Sequence, residues 1–157
     1  MVTLRAMTDR EFQDFLDESV LTYASEKVRV GNWSAEEAQQ RSIQAHTELL
    51  PNGLASAHQH LYTIEVDGAP AGRLWLCSDP SVAGGAGFIY DLLVAELFRR
   101  RGVATAAMRL LEAEATRLGL KSLALHVFGH NTAARALYLQ LGYEITNLNM
   151  SKNIPAD

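Results

Sequence analysis

Apolar and polar positions change period several times along this chain, and each change marks an element. Val2, Leu4 and Ala6 alternate with polar neighbours, which predicts a strand over 2–6. Phe12, Phe15, Leu16, Ser19 and Val20 then recur at three- and four-residue spacing, predicting a helix to about residue 28. Thr8 followed by Glu11 forms a capping box at its start. Gly31-Asn32 break that helix, and Ser34 with Glu37 is a second box, predicting a helix to about residue 49. Residues 60–66 and 72–77 read as strands turning at Asp67-Gly68, a hairpin signal. The apolar run at 88–94 reads as another strand. After Gly102 the period becomes helical again, with Val103, Ala107, Leu110, Leu111, Ala115 and Leu118 on one face, and Gly119 is a fitting stop. Residues 122–128 read as a strand, 132–141 as a helix opened by Asn131, and 143–146 and 149–152 as two short final strands.

Strand, helix and strand over 88–128 make a βαβ unit, so its two strands should run parallel. The hairpin upstream is antiparallel. The fold class is therefore α/β in the broad sense, an α+β mixed sheet with about four helices, and its length fits one domain over residues 1–157.

The loop inside that βαβ unit carries the strongest chemical signal. Arg99, Arg100 and Arg101 precede Gly102, Val103, Ala104 and Thr105 at the start of a helix. The first turn of a helix has N–H groups without intrahelical partners and a partial positive charge, which suits an anion such as a pyrophosphate. Gly102 and Ala104 let a ligand approach the backbone, and the arginines add attraction. A solvated basic turn before an ordinary helix is the plainer reading of the same residues. Neither the G-x-G-x-x-G dinucleotide fingerprint nor a P-loop is present.

Composition narrows the field. Apolar residues make up 48% and charged residues 20%, ordinary for a soluble globular protein. The net charge of −4 argues against a general nucleic-acid binder. Residues 1–60 hold nine Asp/Glu against five Lys/Arg, which suits a cationic substrate and equally a solvated helix surface. The one cysteine, Cys77, excludes an intrachain disulfide and points to a reducing, cytoplasmic compartment. No signal peptide and no membrane-length apolar run are expected. His58 and His60 share a strand face, and with His126 or His130 they are the only metal-ligand combination worth naming. No carboxylate or cysteine completes a recognisable spacing, so no metal is expected. Trp33, between the first two helices, either lines a substrate pocket or packs over the core edge.

A second block lies downstream. Asn131-x-x-Ala134-x-x-Leu137-Tyr138, followed by Leu141-Gly142-Tyr143, resembles the C-terminal signature of the GNAT superfamily, the acyl-CoA-dependent N-acyltransferases. Arg99-x-x-Gly102-x-Ala104 resembles the pyrophosphate loop of the same superfamily. The two blocks cover roughly residues 86–152 of a bacterial-type single-domain member, and upstream only the element order agrees. The resemblance implies a GNAT-type fold with splayed strands at 88–94 and 122–128. It implies acetyl-CoA as co-substrate, with pantetheine along Leu92, Leu93 and Val94 and pyrophosphate on residues 99–105. Asn131 and Ala134 would border the pantetheine arm, although Asn131 is also a plain N-cap. Tyr138 matches the family's general acid, although alone it reads as a core aromatic. Tyr90 stands where some relatives carry a strand glutamate, and Asp91 beside it is expected on the opposite strand face. His126 is the candidate base, against a structural histidine or a water wire. The implied reaction is direct attack of a primary amine, on a small molecule or peptide, in a ternary complex, with a homodimer possible. A non-catalytic acyl-CoA sensor or scaffold on the same fold is the competing expectation, and a plain interaction domain the third.

Overall fold

Strand periodicity and hairpin chemistry place most of the sheet where expected. The computed structural model describes residues 1–157 as two compact units, Met1–His126 and Val127–Asp157. The first unit contains a five-stranded sheet in sequential order: β1 (Val2–Ala6), β2 (Gln59–Val66), β3 (Ala69–Cys77), β4 (Gly87–Val94) and β5 (Leu123–Leu125). The first three pairings are antiparallel, and β5 runs parallel to β4. Its helices are α1 (Asp9–Arg29), α2 (Ala38–Leu49) and α3 (Val103–Arg117). The second unit holds α4 (Thr132–Gln140). At the β2–β3 turn Asp67 and Gly68 both take positive φ, 50° and 82°, as a tight two-residue hairpin requires.

The two sheet faces are divided by alternation along the strands. Leu74 and Leu76 are completely buried, as are Met108 and Leu111 of α3. Tyr62, opposite Leu74, hydrogen-bonds Glu114 of α3 at 3.0 Å, which puts that helix on this face. The other face carries Leu61 and Trp75, packed with Met7, Phe12, Phe15 and Leu50. Phe15 of α1 meets the Trp75 ring edge-on at 5.7 Å.

The start of α1 is fixed as the sequence suggests. Glu11 N–H donates to Thr8 Oγ1 at 3.3 Å and Thr8 N–H to Glu11 Oε2 at 2.9 Å. The second box does not form. Helix α2 opens only at Ala38, without a side-chain cap, because the Glu37 carboxylate turns forward to Arg41 at 3.3 Å.

Three strand expectations are corrected. β5 is three residues long, not seven, because its pairing ends at Ile89–Leu125. The final strands at 143–146 and 149–152 are absent: a strand exists only where a neighbour meets its N–H and C=O groups, and the sheet stops at β5. Ile145, Leu148 and Met150 are exposed. Finally, β4 contains a bulge. Trp75 opposes Asp91 and Leu76 opposes Ile89, so Tyr90 is an extra residue without a counterpart.

Close approach of β3 and β4 depends on Gly72. A Cβ there would lie 2.2 Å from the Leu93 carbonyl oxygen.

Candidate functional site

Partial pairing leaves one strand edge open. β5 covers β4 only from Gly87 to Ile89, so residues 90–94 have no strand partner on that side. The Ala95 N–H donates to the Ala71 carbonyl at 2.8 Å, toward β3. Alternation in an antiparallel ladder then turns the polar groups of Val94 the other way, toward the open side. The Val94 carbonyl accepts a hydrogen bond from Arg99 Nε at 2.8 Å. Leu92, Leu93 and Val94 are all half-buried.

This edge runs into the helix entrance through a short 3-10 turn at Glu96–Phe98. Arg100 sits at φ 58° and Gly102 at φ 74°, two left-handed residues that turn the chain sharply into α3. Ala106 N–H is the first to reach back, to the Gly102 carbonyl at 3.0 Å. The N–H groups of Val103, Ala104 and Thr105 therefore have no intrahelical acceptor, and no side chain caps them. A Cβ on Gly102 would meet nothing within 4 Å, so the space in front is open. Arg99, Arg100 and Arg101 are exposed around it. The Val103 side chain is buried, so it anchors the helix and offers only its backbone. Ala104 and Thr105 are half-buried. The arrangement is a polar strand edge ending at an uncapped, arginine-flanked helix start, suited to a ligand with an extended amide-bearing arm and a phosphorylated end.

His126 follows the last residue of β5 and is exposed. His60 is engaged elsewhere, with Nε2 2.8 Å from Ser78 Oγ, and no three His, Cys, Asp or Glu side chains come together as a metal-binding group. Cys77 is buried. Trp33 packs edge-on to Tyr23 at 5.3 Å with Lys27 Nζ 5.6 Å from its ring centre.

In the second unit, Asn131 caps α4: its side chain accepts from Ala134 N–H at 3.2 Å. That bond uses the Ala134 N–H. Tyr138 is half-buried on the same helix, its ring edge-on to Tyr143 at 5.6 Å.

The bulge reassigns one face of β4. Asp91 accepts from Arg73 Nε at 2.6 Å, and the Arg73 guanidinium lies 5.4 Å from the Phe15 ring centre. The Tyr90 ring lies 4.7 Å from Trp75, which also contacts Phe15. Tyr90 and Asp91 thus share the α1 face, against the simple alternation expected from sequence. Burial pushes the Asp91 carboxyl above the usual carboxylate range, with Arg73 opposing it. Burial also raises the Tyr90 phenol. Arg73 Nη1 also donates to Glu18 Oε2 at 2.5 Å, and nothing local in the sequence links either residue to position 91.

The acetyltransferase (GNAT) family model matches residues 19–143. The uncharacterized N-acetyltransferase YycN of Bacillus subtilis (strain 168) is 38% identical over 154 residues, covering 98% of this chain and 99% of that protein. YdgE of the same organism, another uncharacterized N-acetyltransferase, is 39% identical over 153 residues, covering 97% and 98%. The crystal structure of YycN superposes with a TM-score of 0.91, covering 99% of this chain and 100% of that one. AAC(6')-Iy in complex with a CoA-linked bisubstrate analogue shares the fold at TM-score 0.62 and 16% identity, covering 99% of each chain. With strand edge, helix entrance and both sequence blocks in place, this chain belongs to the acetyltransferase (GNAT) family of acyl-CoA-dependent enzymes.

Proposed function

We propose that this enzyme moves the acetyl group of acetyl-CoA to a primary amine by direct attack in a ternary complex. One observation carries the reading: the unpaired β4 edge at 90–94 leads directly into the uncapped start of α3. Pantetheine amides would pair along Leu92, Leu93 and Val94, and the pyrophosphate would meet the N–H groups of residues 103–105 and the arginines. Positioning the amine against the thioester would supply much of the rate, and the Val94 N–H, on the open strand edge, would stabilise the oxyanion. By the family signature, Asn131 and Ala134 border the arm and Tyr138 protonates the departing thiolate. His126, the sequence's candidate base, stands just past the end of β5.

The acceptor is a small amine or a peptide. No helix is long and apolar enough to cross a membrane. The test is amine-dependent thiol release from acetyl-CoA. Tyr138→Phe is expected to lower kcat by roughly 10²-fold, within the range for general-acid catalysis, with acetyl-CoA affinity unchanged. An unchanged kcat removes Tyr138 from the mechanism. Acetyl-CoA binding with no amine-dependent thiol release would favour the sensor reading.

A further inference from the structure

One arginine at the helix entrance is already tied to the strand edge. Arg99 Nε donates to the Val94 carbonyl at 2.8 Å, although Arg99 is exposed. Of the three entrance arginines, it alone has its guanidinium hydrogen-bonded to the protein. The backbone between donor and acceptor is held. Phe98 N–H donates to the Ala95 carbonyl at 2.9 Å and Arg99 N–H to the Glu96 carbonyl at 3.2 Å, closing the 3-10 turn at Glu96–Phe98. Ala95 N–H in turn donates to Ala71 of β3 at 2.8 Å. The exposed Arg99 side chain is therefore the part of this link that moves most easily.

That carbonyl has a second claim on it. Val94 stands opposite Gly72, and the next N–H, of Ala95, points to β3, so the Val94 N–H and C=O both face the open side of β4. These are groups along which the pantetheine amides would pair. An amide N–H of the arm and Arg99 Nε are then competing donors for one acceptor. A neutral arm that displaces the guanidinium leaves it only water. A diphosphate gives it a charged acceptor instead, and charge-assisted hydrogen bonds are the stronger ones.

We propose that Arg99 selects acyl donors that carry a diphosphate: it holds the Val94 carbonyl until phosphate oxygens draw the guanidinium away, which frees the strand edge for the pantetheine arm. This rests on the acyl-transfer reading above and on the arm lying along Leu92, Leu93 and Val94. Arg99 is a positioning residue in this scheme and touches no reacting atom. The anionic end and the arm of one donor then favour each other's binding through a single side chain, and such a coupling is reciprocal. A thioester on pantetheine alone is discriminated against, although it presents the same acetyl group.

The test uses the full chain and two donors, acetyl-CoA and S-acetylpantetheine, with Kd read from melting temperature against ligand concentration. Arg99→Ala should bind S-acetylpantetheine roughly three- to tenfold more tightly than wild type does, the net worth of one hydrogen bond, while binding acetyl-CoA less tightly. Arg101→Ala removes the same charge without freeing the carbonyl, so it should weaken acetyl-CoA with no gain for S-acetylpantetheine. A further measurement needs no substitution. Saturating inorganic pyrophosphate should tighten S-acetylpantetheine binding to wild type severalfold, and that coupling should vanish in Arg99→Ala. If S-acetylpantetheine binds Arg99→Ala no better than wild type, or too weakly to measure, the inference is overturned: the Val94 carbonyl then serves both donors, or Arg99 braces the edge. An equal gain in Arg101→Ala traces the effect to charge alone and also overturns it, as does a wild type indifferent to pyrophosphate. Each of these results leaves acyl transfer standing. Absence of any acetyl-CoA shift in wild type removes both readings.

Discussion

At Gly102 the charge of an added side chain, not its size, would decide whether the proposed pyrophosphate binds. Its φ of 74° is strained for any residue with a Cβ, at a cost of about 1–2 kcal/mol. The space in front is open, so nothing in the fold resists a larger side chain sterically. A glutamate there would carry its charge to the N–H groups of residues 103–105 and compete with the pyrophosphate. Gly102→Glu is expected to abolish acetyl-CoA binding in a folded protein, measured by calorimetric titration. Gly102→Ala bears the strain without the charge and should retain binding. Normal affinity in Gly102→Glu would contradict the assignment of the loop.

At the scale of elements, the start of α1 is tied to two strands through one carboxylate. Glu11 accepts two hydrogen bonds from Arg5 of β1, both at 2.8 Å, one from Thr63 of β2 at 2.9 Å and one from the Thr8 backbone at 2.9 Å. These hold the Glu11 carboxyl well below the usual range, the Arg5 hydrogen bonds contributing most. A carboxyl depressed in the folded state adds stability above its unfolded pKa and loses it as pH falls toward the folded value. Urea unfolding of Glu11→Gln should therefore approach the wild type in stability as pH drops below about 4.5, the ordinary glutamate value. Asp91, whose carboxyl is raised, acts in the opposite direction, and it is common to both proteins, so their difference isolates Glu11. A difference constant from pH 7 down to acid would contradict the network.

Local chemistry explains which elements the sequence revealed. Thr8-x-x-Glu11 and Asp67-Gly68 act within four residues, and both formed as read. Ser34-x-x-Glu37 has the same kind of pattern, but its glutamate pairs with Arg41 one turn ahead. The bulge at Tyr90 was illegible, because one extra residue is defined only by the register of β3.

At the scale of the whole molecule, the cofactor-side reading rested on two short blocks, Arg99–Ala104 and Asn131–Tyr143, whose roles are set by neighbours in sequence. The helix entrance and the Asn131 cap formed within those blocks. The ion-paired chain of Glu18, Arg73 and Asp91 had no such signature. Arg73 is 55 residues from Glu18 and 18 from Asp91, and only the packing of α1 on the sheet brings the three together.

The central claim is that the β4 edge and the α3 entrance take acetyl-CoA. The measurement that tests it most directly is a thermal melt with and without acetyl-CoA, with free CoA and ATP as controls. Ligand at about 100 times Kd stabilises the folded state by about 2.7 kcal/mol. The account predicts a clear upward shift with both CoA species and none with ATP. No shift with acetyl-CoA at saturating millimolar concentration would contradict it, leaving the fold as scaffold alone.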